Sequence, residues 1–164
     1  MATSSIPEGM NEKEYYETVV SEEEFLRWYK EQDHPTYENP SVTTDMVAYC
    51  FVEGRLKLLV IRRKTHPCQH RVALVGGFLQ KHEDAIQACI REVQEEVGLE
   101  LTHQKVEQLM TVSTPGRDPR GWVITIAHLV YLPAEAVNLV RAGDDAKEVL
   151  FLDVDFKQGE CSLD

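Results

Sequence analysis

The sequence predicts an α/β domain in which helices are layered on a β-sheet. Within residues 86–97, apolar side chains recur at spacings of three and four, the pattern of a helix with one apolar face: Ile86, Cys89, Ile90, Val93 and Val97. Around this helix lie several runs of β-branched and aromatic residues, which are typical of strands. Strands with helices on both faces form an α/β/α sandwich, and that is the fold class we expect.

Size and charge limit the classes of protein to which the chain can belong. Its 164 residues, of which 43% are hydrophobic, suffice for one globular domain and are too few for two ordinary ones. The formal net charge of -11 argues against a nucleic-acid-binding surface, which needs clustered Lys and Arg. No apolar run is long enough to span a bilayer, so we expect no membrane partner.

The four cysteines, at positions 50, 68, 89 and 161, show no paired spacing. This pattern favours neither a zinc site nor a disulfide framework. Because unpaired thiols are typical of a reducing compartment, we expect a cytoplasmic protein.

The first forty residues precede the predicted sheet. Residues 1–20 begin with small and polar side chains and are expected to be flexible. Ser21 and Glu24 form a capping-box pattern, which predicts a helix over 21–31 with an aromatic face. Prolines at 35 and 40 indicate that residues 21–40 comprise this helix and a linker, followed by the main domain at 41–164. The aromatic face packs either on that domain or on a second subunit.

The main domain begins with a predicted hairpin. Residues 43–52 and 56–63 have strand character and flank Glu53-Gly54, which is a turn signal. The second strand ends in the basic run Arg62-Arg63-Lys64. Arg63 therefore either contacts a substrate phosphate or helps to keep a strand edge soluble.

A strand and a glycine loop follow at residues 72–79. Gly76 and Gly77 lack side chains, so the backbone there can approach another group closely. A carbonyl in this loop, with Gly77 as the candidate, can complete the ligand shell of a metal ion.

The helix over 86–97 carries a cluster of carboxylates opposite its apolar face. At about 100° per residue, Glu92, Glu95 and Glu96 share one patch, where like charges repel unless a cation is bound. Arg91 neutralises part of that charge, and hard oxygen ligands without Cys or His favour Mg²⁺ or Mn²⁺. The alternative is a solvated, Glu-rich helix that ends at Gly98 as a C-cap.

Three further strands are predicted after the helix. They span residues 106–113, 122–132 and 149–154, and a loop over 114–121 joins the first two. Pro119 in that loop excludes it from a central strand.

The spacing of the loop and the helix resembles a known signature. Gly77, five residues, Glu83, seven residues and then Arg91-Glu92-Val93-x-Glu95-Glu96-x-Gly98-Leu99 match every fixed place of the Nudix hydrolase motif. The resemblance implies a Nudix fold with a mixed β-sheet and the cleavage of nucleoside diphosphate derivatives with bound divalent metal. It implies that Glu92, Glu95 and Glu96 are catalytic and bind the metal, and that Gly98 is structural. Glu83 and Arg91 are expected to be structural and to hold the loop and helix together, the alternative being direct contact with the metal.

A second segment narrows the resemblance to one branch of the family. Arg117-Asp118-Pro119-Arg120-Gly121-Trp122, with Gly143-Asp144-Asp145-Ala146, looks like the ADP-ribose pyrophosphatases and related regulators. The implied reaction converts ADP-ribose to AMP and ribose 5-phosphate. Arg117 or Arg120 would bind the diphosphate. Trp122 would stack on adenine or, alternatively, belong to the core of a strand.

The branch resemblance leaves the proton acceptor open. The group that accepts the proton is either Glu92 or an acidic residue of the later loop. The loop candidates are Asp144, Asp145 and Glu148, and of these we choose Asp145. Two departures from the branch, Val72 for a Trp and Val75 for a Pro, lie just before the glycine loop and lower the expected rate without removing a ligand.

Two alternative functions share these motifs. One is an ADP-ribose-sensing domain of a transcriptional regulator, although the chain is expected to be too short for an added winged helix. The other is a Nudix hydrolase that acts on a different nucleotide. Family resemblance and the aromatic helix also lead us to expect a homodimer.

Overall fold

A computed structural model of the protein describes residues 6–34, 37–102, 104–143, 146–157 and 160–163. The chain separates into two compact units, with the division between Glu38 and Asn39. No helix in the described ranges is long and apolar enough to cross a membrane.

The first unit is a pair of helices, α1 (Glu12–Thr18) and α2 (Glu22–Glu31). The helix predicted over 21–31 is confirmed as α2, and the Ser21 hydroxyl accepts a hydrogen bond from the Glu24 amide. Helix α1 corrects the expectation that residues 1–20 are flexible throughout. Asn11 caps its first turn, and the ring of Tyr16 stacks on Trp28 of α2 at 4.8 Å between centroids.

The second unit is built on a mixed sheet, which confirms the predicted α/β class. Its spatial order is β5-β6-β1-β2-β7-β8, with β3 paired to β2 and β4 paired to β1. Strands β1 and β6 are parallel, and the other pairs are antiparallel. The strands are β1 (Ser41–Val52), β2 (Arg55–Arg63), β3 (Val72–Ala73), β4 (Val75–Phe78), β5 (Val106–Val112), β6 (Val123–Tyr131), β7 (Ala146–Lys157) and β8 (Glu160–Leu163).

Every predicted strand is present, and β8 is an addition to the prediction. The hairpin of β1 and β2 closes through Glu53 and Gly54, which both have positive φ angles, 51° and 77°. Two successive residues with positive φ suit the right-handed twist of a hairpin, which is why Gly is favoured there.

The signature helix is α3 (Ala85–Val97). Asp84 and Gln87 form a reciprocal capping box at its start, and Gly98, with a φ of 67°, ends it in the left-handed conformation. Two of its last carbonyls are also satisfied from a later loop, because the amides of Arg141 and Gly143 donate to Val97 and Glu96 at 2.9 and 2.7 Å.

Helix α3 packs on the face of the sheet formed by β1 and β4. Its buried side chains Cys89, Val93 and Val97 join one core with Met46 of β1 and its neighbours, and Ala88 is buried as well. Ile86 is an exception to the predicted apolar face, since it lies in the first turn and is exposed. Residues 134–138 form a short 3-10 helix whose Ala136 joins the same core.

Candidate active site

The glycine strand β4 and helix α3 form one wall of a cavity of about 660 Å³. The end of β2 and the loop between β5 and β6 also line it. The lining therefore brings together most of the residues singled out from the sequence: Arg63, Gly76, Gly77, Arg91, Glu92, Glu95, Glu96, Arg117 and Arg120.

The three signature carboxylates line this cavity, but they differ in exposure. The Glu95 side chain is 57% exposed and that of Glu92 only 14%, while Glu96 is buried at 9%. The expectation of one exposed patch is therefore wrong for Glu92 and Glu96. The reason is that α3 turns this edge toward β4, where Glu96 Oε2 accepts a hydrogen bond from the Gly76 amide at 3.1 Å.

The position of the Glu92 side chain leaves room only for a glycine at residue 77. A Cβ atom built on Gly77 would overlap the Glu92 carboxylate, so a side chain here would displace that group. At Gly76 a Cβ atom would overlap the backbone carbonyl of Thr44 on β1 instead. The two glycines thus let β4 lie close to the helix on one side and to the sheet on the other.

Arg91 organises the carboxylates into a network. Its Nε and Nη2 donate to both oxygens of Glu83 at 3.0 and 2.8 Å, and Nη1 donates to Glu92 at 2.7 Å and Glu95 at 2.9 Å. Nη2 also reaches the Phe78 carbonyl at 3.1 Å, which joins the helix to the glycine strand. Hydrogen bonding to Arg91 lowers the pKa of Glu83, and the same bonds raise the pKa of Arg91.

The donor set fits a hard divalent cation. Glu92, Glu95 and Glu96 line one cavity, and the absence of a side chain at Gly77 leaves room for the Glu92 carboxylate. Among the described residues no three His, Cys, Asp or Glu side chains already surround a single point as metal ligands. Arg91 holds one oxygen of Glu92 and one of Glu95.

The three predicted arginines also line the cavity, and they differ in their partners. Arg120 forms a bidentate pair with Asp118, with Nε and Nη2 at 3.0 and 2.7 Å from its two oxygens. Arg117 has one longer ion pair, 3.9 Å to Asp45. Arg63 uses Nε for the Pro67 carbonyl, and no partner is found for its terminal nitrogens in the described part of the chain.

Two further acidic residues, Asp118 and Asp45, line the cavity, and sequence reasoning missed the second of them. Asp118 has its pKa lowered to about 2 by the hydrogen bonds from Arg120. Asp45 of β1 accepts a hydrogen bond from the Thr125 hydroxyl at 2.6 Å and faces Arg117. A signal for Asp45 was present, because Thr43-Thr44-Asp45 interrupts an otherwise apolar strand with polar side chains.

Other predicted residues are not brought to the cavity. Trp122 is 49% exposed and does not line it, so neither the stacking role nor the core role expected from the sequence is supported. Glu148 of β7 is paired with Arg62. Asp144 and Asp145 lie outside the described residues. Gly143, which precedes them, donates a hydrogen bond from its amide to the Glu96 carbonyl at the end of α3.

Known proteins similar to this chain include two relatives found by sequence and one solved structure. A family model described as NUDIX domain matches residues 42–155. The chain is 40% identical to the ADP-ribose pyrophosphatase of Methanocaldococcus jannaschii over 119 residues, 72% of this chain and 64% of that protein. It is 32% identical to the ADPR responsive transcriptional repressor NtrR of Acinetobacter baylyi over 118 residues, 71% of this chain and 45% of that protein.

The third is a solved structure, the MutT/nudix family protein from Enterococcus faecalis. It superposes with a TM-score of 0.85 at 40% identity and covers 98% of this chain and 61% of that one. This likeness confirms the predicted Nudix fold. The chain spans less than two thirds of the length of each of these three proteins.

Proposed function

The chain belongs to the Nudix family, and from this membership we propose that it hydrolyses the diphosphate of ADP-ribose to AMP and ribose 5-phosphate. The 40% identity to an archaeal ADP-ribose pyrophosphatase supports the choice of substrate. The cofactor in this proposal is Mg²⁺ or Mn²⁺, in keeping with the general use of divalent metals by Nudix hydrolases.

One observation carries the proposal. A single cavity is lined both by the three carboxylates of α3 and by Arg63, Arg117 and Arg120. A dinucleotide-like substrate with two bridging phosphates needs both kinds of group, since cations neutralise its charge and arginines match phosphate oxygens in a planar, bidentate geometry.

The carboxylates and the arginines have different roles in the proposed reaction. Glu92, Glu95, Glu96 and the carbonyl of Gly77 would hold the cation, which when bound supplies charge neutralisation and activates the attacking water. Arg63 and Arg117 would hold the diphosphate, because in the described ranges they have more donors free of partners than Arg120 has. Glu83 and Arg91 keep the glycine strand against the helix.

The general base of the proposed reaction is either Glu92 or an acid of the loop after Gly143. Glu92 lines the cavity, although Arg91 already binds one of its oxygens. Asp145 remains the loop candidate, and Glu148 is less suited because it is paired with Arg62.

Hydrolysis of ADP-ribose tests the proposal directly. Purified protein with Mg²⁺ should release AMP and ribose 5-phosphate, and an excess of EDTA should abolish the release. Glu96→Gln should lower the rate at least about 100-fold, since the amide loses the ligand charge but keeps an oxygen for the Gly76 amide. Glu107→Gln on β5, exposed and outside the cavity lining, is the matched control. Undiminished turnover in EDTA would rule the proposal out.

A second function is favoured by the similarity to the repressor NtrR. In that case the cavity would bind ADP-ribose as an effector without cleaving it. Calorimetry with ADP-ribose and Mg²⁺, followed by analysis of the ligand, separates the two functions. Tight binding with intact ADP-ribose after hours would favour the effector role.

We also propose that the protein is a cytoplasmic homodimer. The free thiols of Cys50, Cys68 and Cys89 suit a reducing compartment. The aromatic residues of α2, Phe25, Trp28 and Tyr29, suit an interface. Light scattering that shows only a monomer at micromolar concentration would exclude the dimer.

A further inference from the structure

Phe78 is a large aromatic side chain at the mouth of the catalytic cavity. It is the last residue of β4, directly after Gly77, and it lines the cavity while remaining 41% exposed. Its backbone is held, because its carbonyl accepts a hydrogen bond from Arg91. The ring is therefore an apolar surface that borders the same cavity as the carboxylates, and core packing does not account for its exposed part.

The ring has a cation on one side. The Arg120 guanidinium lies 4.8 Å from the centroid of the Phe78 ring, a cation–π distance. Asp118 holds that guanidinium through two of its nitrogens and also accepts a hydrogen bond from the Arg120 amide at 2.9 Å. Phe78 and Arg120 thus form a stacked pair, here called the Phe78 platform, whose arrangement is set before any ligand binds.

The position of the platform limits what can contact it. Phe78 borders the same cavity as the carboxylates of α3 and the arginines, so a substituent of a diphosphate bound there can reach its ring. Phe78 offers that substituent no hydrogen bond from its side chain. A planar π system gains more from such a surface than a hydroxyl-rich sugar does, because the hydroxyl groups would be desolvated without a partner.

We propose that the Phe78 platform is the stacking surface for the nucleobase of the substrate, in place of Trp122. This inference rests on the proposed function, since it names the residue with which that cavity recognises the base. Trp122 is exposed but lies outside the cavity lining, whereas Phe78 and Arg120 both border it.

Binding of the two reaction products separates base recognition from catalysis. Calorimetry is done in Mg²⁺ with AMP, which carries a base, and with ribose 5-phosphate, which does not. Phe78→Leu should weaken AMP binding at least about fivefold and leave ribose 5-phosphate binding within about twofold, because only the base loses its aromatic partner. Phe78→Tyr should restore AMP binding to near the wild-type value.

Two further variants control the measurement. Phe51→Leu makes the same change at another exposed phenylalanine, on β1 and outside the cavity lining, and should leave AMP binding unchanged. Trp122→Leu should also leave it unchanged. Melting curves verify that each variant is folded, which is expected for side chains this exposed.

The remaining outcomes each overturn the inference. They are an unchanged AMP affinity in Phe78→Leu, an equal loss for AMP and ribose 5-phosphate, a loss confined to Trp122→Leu, and a wild-type protein that does not bind AMP. Failure of the proposed function is a separate result. Phe78→Leu can weaken AMP binding in a protein that does not cleave ADP-ribose. Conversely, a protein can cleave ADP-ribose while its affinity for AMP does not depend on Phe78.

Discussion

At the scale of single residues, Arg117 and Arg120 have the same charge and the same cavity but different partners. Both Nε and Nη2 of Arg120 are bound by Asp118, whose side chain is largely buried, whereas Arg117 has one ion pair of 3.9 Å. Arg120 is therefore placed to shape its loop and to support Phe78. Arg117 retains donors for a phosphate.

Replacing each of these arginines with lysine should have opposite effects. Arg117→Lys should raise the KM for ADP-ribose roughly tenfold, about 1.4 kcal/mol, because an ammonium cannot match two phosphate oxygens. Arg120→Lys should lower the melting temperature and change that KM less than about threefold, because Asp118 loses its bidentate partner. Steady-state kinetics and melting curves on both variants provide the comparison. A larger KM change in Arg120→Lys than in Arg117→Lys would assign the phosphate contact to Arg120.

At the scale of elements, β4 is a short strand that must lie close to two neighbours. Gly76 faces the Thr44 carbonyl of β1, and Gly77 faces the Glu92 carboxylate of α3. A backbone carbonyl inside a sheet cannot move far, but the end of a glutamate side chain can rotate. The same substitution in adjacent positions should therefore produce different defects.

Gly76→Ala should destabilise the fold, and Gly77→Ala should damage the site. For Gly76→Ala we expect a loss of roughly 1–3 kcal/mol in the free energy of unfolding, the usual range for overpacking. For Gly77→Ala we expect a small change in stability and at least about a tenfold fall in kcat, because Glu92 is displaced from the cavity. Denaturant unfolding and kinetics on both variants check this. Equal destabilisation by the two alanines would contradict the assignment of the Gly77 contact to Glu92.

At the scale of the whole molecule, a buried polar pair lies behind the site. His128 of β6 is almost fully buried, and its Nδ1 is hydrogen-bonded to the Thr44 hydroxyl of β1 at 2.9 Å. Burial lowers the pKa of His128, against weaker opposing effects of the Ile126 backbone and Asp84. The nearby thiol of Cys89 has its pKa raised to about 11 by burial and therefore stays neutral.

This histidine should make the fold sensitive to mild acid. Its folded-state pKa is below the unfolded value of about 6.5, so below that pH the unfolded chain binds the proton first and stability falls as the pH decreases. Above about pH 6.5 both states are neutral and the penalty is absent. Between about pH 7.5 and pH 5.5, the melting temperature of His128→Asn should fall less than that of the wild type.

The matched control for this titration is His82→Asn. His82 is exposed and has a positive φ angle of 76°, a backbone conformation that Asn tolerates. The control should keep the wild-type loss of stability in acid. An acid response of His128→Asn as large as that of the wild type would show that other groups cause it.

The sequence by itself determined the features that depend on near neighbours. The hairpin at Glu53-Gly54, the caps of α3 and the spacing from Gly77 to Glu96 are local patterns, since turn conformation and helix periodicity act over a few residues. These patterns predicted the fold class, the family and the carboxylate side of the cavity.

Only the tertiary structure decided which distant residues share the cavity. Parallel pairing places β6 beside β1, and this brings Asp118 of the β5–β6 loop to the same cavity as Asp45 of β1. Trp122 lies outside the cavity lining. Register also decides the face on which each strand residue lies, since a shift of one residue reverses every side chain. Periodicity placed Glu92, Glu95 and Glu96 on one side of α3, but the approach of β4 to that side buried two of them.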